Sequence, residues 1–336
     1  MRTIFFAFIV FLIIALIIPL FIINSCDIQI PPKKHISKTE DVIESDFKIN
    51  VYNHETKENM ELYLEDYITQ VVAAEVPAEF ELEALKAQAV AARTFVIWRV
   101  VTLGDAGHDS HPNASVCTNH QHCQEWLSMD ELEKRHGSNW INKYLPKIEE
   151  AITETRGIIM TYNGQVIEPL YHSTSGGRTE NSEDVFASSR PYLKSVASPY
   201  ESGSPVLFDK KEISIDDFIK KLEASKKDFK INKKNIKKEI EILSKNHGGS
   251  VKEIKIGNSQ FTGREIRQIF DLRSANFQID IGRKNIVFNT KGYGHGVGMS
   301  QWGANGMAEK GINYEEILKH YYQGINLSKL ASYGEK

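Results

Sequence analysis

Apolar residues recur along this chain with two periods, one helical and one extended, and a few segments follow neither. Phe47, Ile49 and Val51 occupy alternate positions and predict a strand where the folded part begins. Across residues 62–74 the apolar positions fall at helical spacing, and Pro77 predicts the end of that helix. Residues 81–100 form the clearest helix: Leu85, Ala89, Ala92 and Val96 make an i, i+4, i+7, i+11 stripe. Five alanines between Ala84 and Ala92 keep it thin, so a neighbour can pack close. Another helical stretch covers about 129–155. Residues 157–162 and 165–171 flank Asn163-Gly164, the pair preferred in a type I′ hairpin turn. Residues 209–245 hold 12 Lys against 8 Asp and Glu; with acids interleaved, they predict a solvated surface helix region rather than a binding patch. Phe277, Ile279 and Ile281 alternate again and pair across a turn with 286–288. A glycine-rich stretch, 292–306, precedes a last helix around 314–322, and no internal repeat is evident. This order predicts an α+β, two-lobed globular domain with a cleft over 47–330, with a smaller inserted lobe at about 205–280.

One segment has no periodicity at all. Residues 4–23 are apolar throughout apart from Pro19 and carry no charge. Twenty residues at about 1.5 Å each span a bilayer core of about 30 Å. The run exceeds the roughly 7–15 apolar residues of a cleaved signal peptide, its only basic start is Arg2, and no small-x-small cleavage pattern follows. Residues 1–26 are therefore expected to be one uncleaved N-terminal transmembrane helix. Cleavage is a second reading. Lipidation at Cys26 is a third, because Ile23-Asn24-Ser25-Cys26 loosely resembles a lipobox. Residues 27–46, with Pro31-Pro32 and few apolar positions, read as a tether. The flanking charges are too few to orient the anchor; the bulk of the chain is expected outside the membrane.

Composition narrows the function classes. With 41% hydrophobic and 25% charged residues among 336, the chain is an ordinary globular protein, not disordered, collagenous or coiled-coil. Its net charge is −3, and −4 outside the apolar run with its Arg2, which argues against a nucleic-acid binder. Three cysteines are too few for a disulfide-stapled scaffold.

Five places carry candidate chemistry. Glu75 closes an apolar helix just before Pro77, where burial raises a carboxyl pKa toward that of a general acid. The residues also allow a water-exposed helix-end carboxylate. On the next helix Lys86 and Arg93 share a face near Glu83, with Gln88 close by: a cationic wall for a cleft, or an ion-paired surface stripe. The segment Tyr171-His-Ser-Thr-Ser-Gly-Gly-Arg-Thr-Glu180 is a polar loop able to bind hydroxyls, through Tyr171, Ser173 and Ser175, or a plain turn. Lys291-Gly-Tyr-Gly-His-Gly-Val-Gly-Met-Ser-Gln-Trp302 brings a backbone close to a neighbour or ligand and offers Tyr293, His295, Gln301 and Trp302. It is neither a Walker A loop nor a dinucleotide fingerprint. Finally, His111-x5-Cys117-x4-His122-Cys123, with His108 and His120 nearby, supplies four donors for a structural zinc. A Cys117–Cys123 disulfide, or solvated side chains, are the alternatives at this point.

Together these segments resemble the stage II sporulation protein D family. Glu75-Val-Pro followed by Glu83-Ala-Leu-Lys-Ala-Gln-Ala-Val-Ala-Ala-Arg-Thr94 looks like its signature. Tyr171-His-Ser-Thr-Ser-Gly-Gly177, Phe261-Thr-Gly-Arg-Glu-Ile-Arg267, Leu272-Arg-Ser-Ala-Asn-Phe277 and Gly292-Tyr-Gly-His-Gly-Val-Gly-Met-Ser-Gln-Trp-Gly-Ala304 fit in the same order. Val76 departs from the Met common there. The resemblance, over about 45–330, implies a membrane-anchored lytic transglycosylase acting in engulfment during sporulation. Such enzymes cut the β-1,4 bond between N-acetylmuramic acid and N-acetylglucosamine in peptidoglycan and leave 1,6-anhydro ends. It also implies a preference for glycan strands stripped of stem peptides, a partner amidase (sporulation protein P) and a small membrane protein (sporulation protein M). The expected location is the mother-cell membrane, with the folded part facing the intermembrane space. Glu75 matches the family's catalytic glutamate, and the His/Cys set resembles a zinc site of clostridial members. Two other functions compete: a non-catalytic amidase enhancer that binds peptidoglycan, and a zinc hydrolase.

Overall fold

The computed structural model describes residues 47–186 and 188–330. The apolar run 4–23, Cys26 and the tether lie outside the described residues. Among the described residues no helix is long and apolar enough to cross a membrane. The described residues form a mixed α+β fold, with no closed barrel among them.

Its helices are α1 (Leu64–Glu75), α2 (Leu82–Leu103), α3 (Met129–His136), α4 (Ser138–Glu154), α5 (Ser182–Val185), α6 (Ile215–Ser225), α7 (Gly263–Ile269), α8 (Gln301–Ala308) and α9 (Tyr314–Tyr321). The expected first strand is Lys48–Asn53, paired antiparallel with Glu58–Tyr63. The second strand takes Leu62, so α1 starts two residues later than the pattern suggests. Most of it is exposed, and only Met60 and Leu62 alternate as part-buried positions, too short a run to set against the helical spacing that follows. The expected helix at 129–155 is two helices, divided at Gly137, whose φ of 86° is open to glycine at little cost.

The larger core is built around α2. The helix is buried on every side from Ala84 to Ile97, rather than along one stripe. Helices α1, α4, α8 and α9 and the strand Ile158–Tyr162 all pack on it, and its alanines let their backbones approach. Burial on all sides leaves polar side chains no route to water, so they pair internally. Arg93, fully buried, donates through Nε and Nη2 to the two oxygens of Glu65 (2.9 and 2.6 Å) and through Nη1 to the Ile158 carbonyl (3.2 Å).

The hairpin predicted by Asn163-Gly164 is present. Ile158–Tyr162 pairs with Gln165–Val166, and both turn residues have positive φ, 50° and 76°, as a type I′ turn requires. The second strand ends earlier than expected. Tyr171–His172 instead runs parallel to Met299–Ser300, which joins the two polar loops found in the sequence.

A second hydrophobic cluster gathers Phe218, Leu222, Phe270, Phe277 and Phe288 beneath two three-stranded sheets. In one, Phe277–Ile281 pairs with Asn285–Lys291, with Ile281 opposite Ile286 as the alternation predicts. The cluster runs from Ile215 to Phe288, somewhat beyond the lobe boundary expected near 280. The surface-helix expectation for 209–245 is corrected here. The segment contains most of the strand Phe208–Ser214, helix α6, a short 3₁₀ turn at Lys233–Lys238 and the strand Ile240–Lys245. Lysine content reports that one face is solvated and says nothing about period. In both strands exposed and part-buried positions alternate.

Candidate active site

Helix α1 ends at Glu75 because Val76, ahead of Pro77, is extended (φ −130°, ψ 152°). The Glu75 carboxyl thus sits at a chain reversal beside a cavity of about 1090 Å³. One wall of that cavity consists of the two polar loops. Tyr293 and Thr174 form an antiparallel bridge, and Val297 bridges Glu180. The glycines of the second loop allow this contact: a Cβ on Gly298 would lie 1.9 Å from the Leu170 carbonyl oxygen, and one on Gly294 2.7 Å from His172 Cβ. At these two glycines the close approach expected of this loop is therefore to a neighbouring segment of the protein itself.

Glu75 is held by neutral donors alone. The Glu125 backbone N–H donates to its Oε1 at 2.8 Å. Gln301 Nε2 donates to its Oε2 at 3.4 Å. The Tyr171 hydroxyl lies 3.3 Å from Glu75 Oε1 and 2.9 Å from Gln124 Oε1. Burial pushes the Glu75 pKa up from 4.5 to about 7, and the nearby negative charge of Glu125 adds to the rise against these hydrogen bonds. The other carboxylates lining the cavity each meet a cation: Glu125 with Arg135 (2.8 Å), Asp209 with Arg273 (3.4 Å) and Asp271 with Lys211 (3.3 Å). Among the described carboxyls lining the cavity, Glu75 alone meets no cation, and its raised pKa poises it to change protonation near neutral pH.

The expected cleft residues divide. Tyr171, Ser173, Tyr293, His295 and Gln301 line the cavity with Glu75. Lys86, Gln88, Arg93 and Ser175 do not. Lys86 bridges Glu83 and Glu154, 2.6 Å from each, and Arg93 is locked to Glu65. Gln88 is buried in the core with no partner for either side-chain atom among the described residues. Ser175 donates to Glu201 through both its N–H and its hydroxyl (2.9 and 2.8 Å). The cationic-wall reading of α2 fails because the helix is enclosed, so its charges serve packing. Trp302 packs edge-on against Phe80, 4.9 Å between centroids, and is not among the lining residues.

Three contributors were not visible in the sequence, and a fourth, Arg267, entered only as the last residue of a motif, with no role attached. The Glu125 N–H reaches Glu75 directly, and Gln124 accepts from the Tyr171 hydroxyl that lies beside that carboxyl. Glu201 also accepts from the N–H groups of Gly176 and Gly177 and from the hydroxyls of Ser198 and Ser300. It thereby ties the first polar loop to the N-cap of α8, which carries Gln301. Arg267 enters the cavity wall from α7. The adjacency of Gln124 and Glu125 to Cys123 was the one available signal; nothing local marks Glu201.

His111, Cys117, His122 and Cys123 converge as the zinc reading expects, with one donor atom from each within 4.8 Å of the others. Both thiols are unbridged, so the disulfide alternative is not realised. Cys123 Sγ lies 3.4 Å from His122 Nδ1 and 3.7 Å from His111 Nε2, and Cys117 Sγ lies 3.6 Å from His122 Nδ1. Zinc bonds of about 2.0–2.3 Å in a tetrahedron give donor–donor edges of about 3.3–3.8 Å, so these spacings fit. His111 Nδ1 donates to the Ala114 carbonyl at 2.7 Å, which frees Nε2 for a metal. A hydrogen bond from Cys123 pulls the Cys117 thiol down to about 5, and the same bond pushes Cys123 up. This group can bind a metal, and its four protein donors match the number found in structural zinc sites.

Residues 52–162 match the model of the family described as Stage II sporulation protein. Stage II sporulation protein D of Bacillus amyloliquefaciens is 39% identical over 294 residues, 87% of this chain and 82% of that protein. The protein of the same name in Bacillus subtilis (strain 168) is 38% identical over 292 residues, with the same coverage. An amidase enhancer of Bacillus subtilis (strain 168) is 27% identical over 306 residues, 77% of this chain and 40% of that protein.

Proposed function

The chain belongs to the stage II sporulation protein D family, and we propose that it is a lytic transglycosylase cutting the β-1,4 bond between N-acetylmuramic acid and N-acetylglucosamine. The observation that carries this reading is Glu75: of the four carboxylates lining the cavity it alone lacks a cation, and burial holds its pKa near about 7.

One such carboxyl suffices for the chemistry. Protonated Glu75 donates to the glycosidic oxygen, the C1–O bond breaks, and the N-acetylglucosamine hydroxyl departs as positive charge develops at C1. The Glu75 carboxylate left behind is stabilised by the Glu125 N–H and the Gln301 amide. It then takes the proton from the muramic acid C6 hydroxyl as that oxygen bonds C1. The product is a 1,6-anhydro end, no water is consumed, and Glu75 is again protonated. A hydrolase would need a second carboxylate to activate water or form a covalent intermediate.

A zinc ion on His111 Nε2, Cys117 Sγ, His122 Nδ1 and Cys123 Sγ would serve as a structural cross-link. The chain just beyond it carries Glu125, whose N–H meets the Glu75 carboxyl, and Gln124, which accepts from the Tyr171 hydroxyl. With all four positions filled by protein, the site does not support the zinc-hydrolase reading. The related amidase enhancer suggests the competing function, peptidoglycan binding without catalysis. We further propose that residues 4–23 anchor the chain in the mother-cell membrane, with the folded part facing the intermembrane space. Its partners there would be the sporulation amidase P and the membrane protein M. The test is digestion of peptide-free glycan strands by the wild-type chain and by Glu75→Gln. Anhydro ends from the first alone support catalysis, and full biological function of the variant supports the enhancer.

A further inference from the structure

We propose that Arg267 forms an anion subsite in the cavity wall, and that its ligand is the free lactyl carboxylate of a muramic acid residue that has lost its stem peptide. This inference rests on the glycan-cleavage reading above and names the feature of the strand that the site selects.

Four cations line the cavity: Lys210, Lys211, Arg267 and Arg273. Two are already matched, Lys211 by Asp271 at 3.3 Å and Arg273 by Asp209 at 3.4 Å. Lys210 is exposed, so solvent is open to its charge. Arg267 differs. It is half-buried, donates through Nε to the Leu272 carbonyl at 3.2 Å, and has no acid within ion-pairing distance among the described residues. A guanidinium has five N–H donors in a flat fork, so most of its capacity is unspent. Removing such a charge from water without a partner is costly, and an anionic ligand recovers that cost.

The one acid among the described residues whose charge reaches Arg267 is Asp271, which lies beyond ion-pairing distance and is already bridged to Lys211, and the neighbouring Arg264 opposes it. His172 and His295 line the same wall and stay neutral, their pKa values pushed down to about 4 and about 3, mainly by burial. His172 adds a second sign of a vacant subsite. Its Nδ1 donates to the Val297 carbonyl at 3.2 Å, which leaves Nε2 an acceptor, buried and without a partner among the described residues. A donor fork and an unpaired acceptor on one wall suit a ligand offering a carboxylate together with a hydroxyl or amide N–H. His172 follows Tyr171, which touches Glu75, so the subsite lies along the strand that reaches the acid.

The glycan backbone is uncharged except at the lactyl group of muramic acid. While a stem peptide is attached, that group ends in an amide, with one acceptor oxygen and no charge. Once an amidase has removed the peptide it is a carboxylate, whose two oxygens match a guanidinium fork. Arg267 is thus a specificity-determining residue that reads whether the peptide is gone.

The test separates binding from turnover. Full-length protein carrying Glu75→Gln, in detergent, is titrated with one strand preparation in two forms: free lactyl carboxylates, or the same groups converted to carboxamides. We expect carboxylate strands to bind about tenfold or more tightly. Adding Arg267→Gln should abolish that preference while changing carboxamide affinity by less than about twofold. Arg267→Lys, which keeps the charge without the fork, should retain part of the preference. A preference that survives Arg267→Gln, or equal losses on both strands, overturns the proposal. If Arg267→Gln proves unstable by thermal unfolding, Arg267→Lys decides: a severalfold smaller preference supports the subsite, and an unchanged one overturns it. A preference that depends on Arg267 in a protein whose wild type yields no anhydro ends would sink the cleavage reading and leave the subsite standing.

Discussion

Replacing Glu75 by Gln should make the protein more stable, and by an amount that depends on pH. The carboxyl titrates at about 7 in the folded chain against 4.5 for the unperturbed group. At about 1.4 kcal/mol per unit, that is roughly 3 kcal/mol of preference for the neutral acid. Below 4.5 both folded and unfolded chains carry the proton, so Glu75 has no effect on stability. Between 4.5 and about 7 only the folded chain holds it, so stability falls as pH rises. Above about 7 both are ionised and the full destabilisation is present. Glutamine keeps the size and one acceptor oxygen for the Glu125 N–H but never ionises. It also presents an amide to Gln301, a mismatch of about 1 kcal/mol that does not vary with pH. The readout is therefore the slope. Thermal unfolding of both proteins from pH 4.5 to 8 should show the variant gaining roughly 5 °C relative to wild type across the window. A difference that stays flat with pH would mean that Glu75 is hydrated and titrates as an ordinary carboxylate, which would remove the basis for its role as an acid.

Other consequences are equally direct. Cleavage by the wild type should decline as pH rises through about 7, because the protonated acid is the active form; kcat/KM against pH measures this. Tyr171→Phe removes a hydroxyl whose contact lowers the Glu75 pKa, so that decline should move to higher pH with reduced kcat. An unmoved profile would show that Tyr171 has no influence on the acid. Arg93→Met strands Glu65 beside the core and should cost about 3–5 kcal/mol in urea unfolding, whereas a surface ion pair would lose less than 1 kcal/mol. Elemental analysis of the purified chain should find one zinc, absent from Cys117→Ser. Chelation should lower Tm, and activity should be lost only in step with that fall, not at once.

How much of this could be read from the chain depended on the range of the interaction. The Asn163-Gly164 turn and the end of α1 before Pro77 are local matters of backbone geometry, and both were legible. The alternation at Phe277, Ile279 and Ile281 was legible too, because a half-buried strand declares its period. The four metal donors fall within thirteen residues, 111–123, so their convergence could be expected. What failed was anything decided by enclosure. Lys86 and Arg93 share a face of α2 as their spacing requires, but surrounding helices turned that face into core. Lysine content suggested helix at 209–245 although charge carries no period. Glu201 sits far in sequence from Ser175 and Ser300, the groups it joins, and the parallel pairing of Tyr171–His172 with Met299–Ser300 brings those two loops together. Arg267 stood in a quoted motif, but only the fold places it in the cavity wall.

The most direct test of the central claim is digestion of peptide-free glycan strands in heavy-oxygen water, followed by mass spectrometry of the new ends. The account predicts 1,6-anhydromuramoyl ends without heavy oxygen from the wild type, and none from Glu75→Gln. Reducing ends carrying heavy oxygen, or undiminished cleavage by Glu75→Gln, would contradict it.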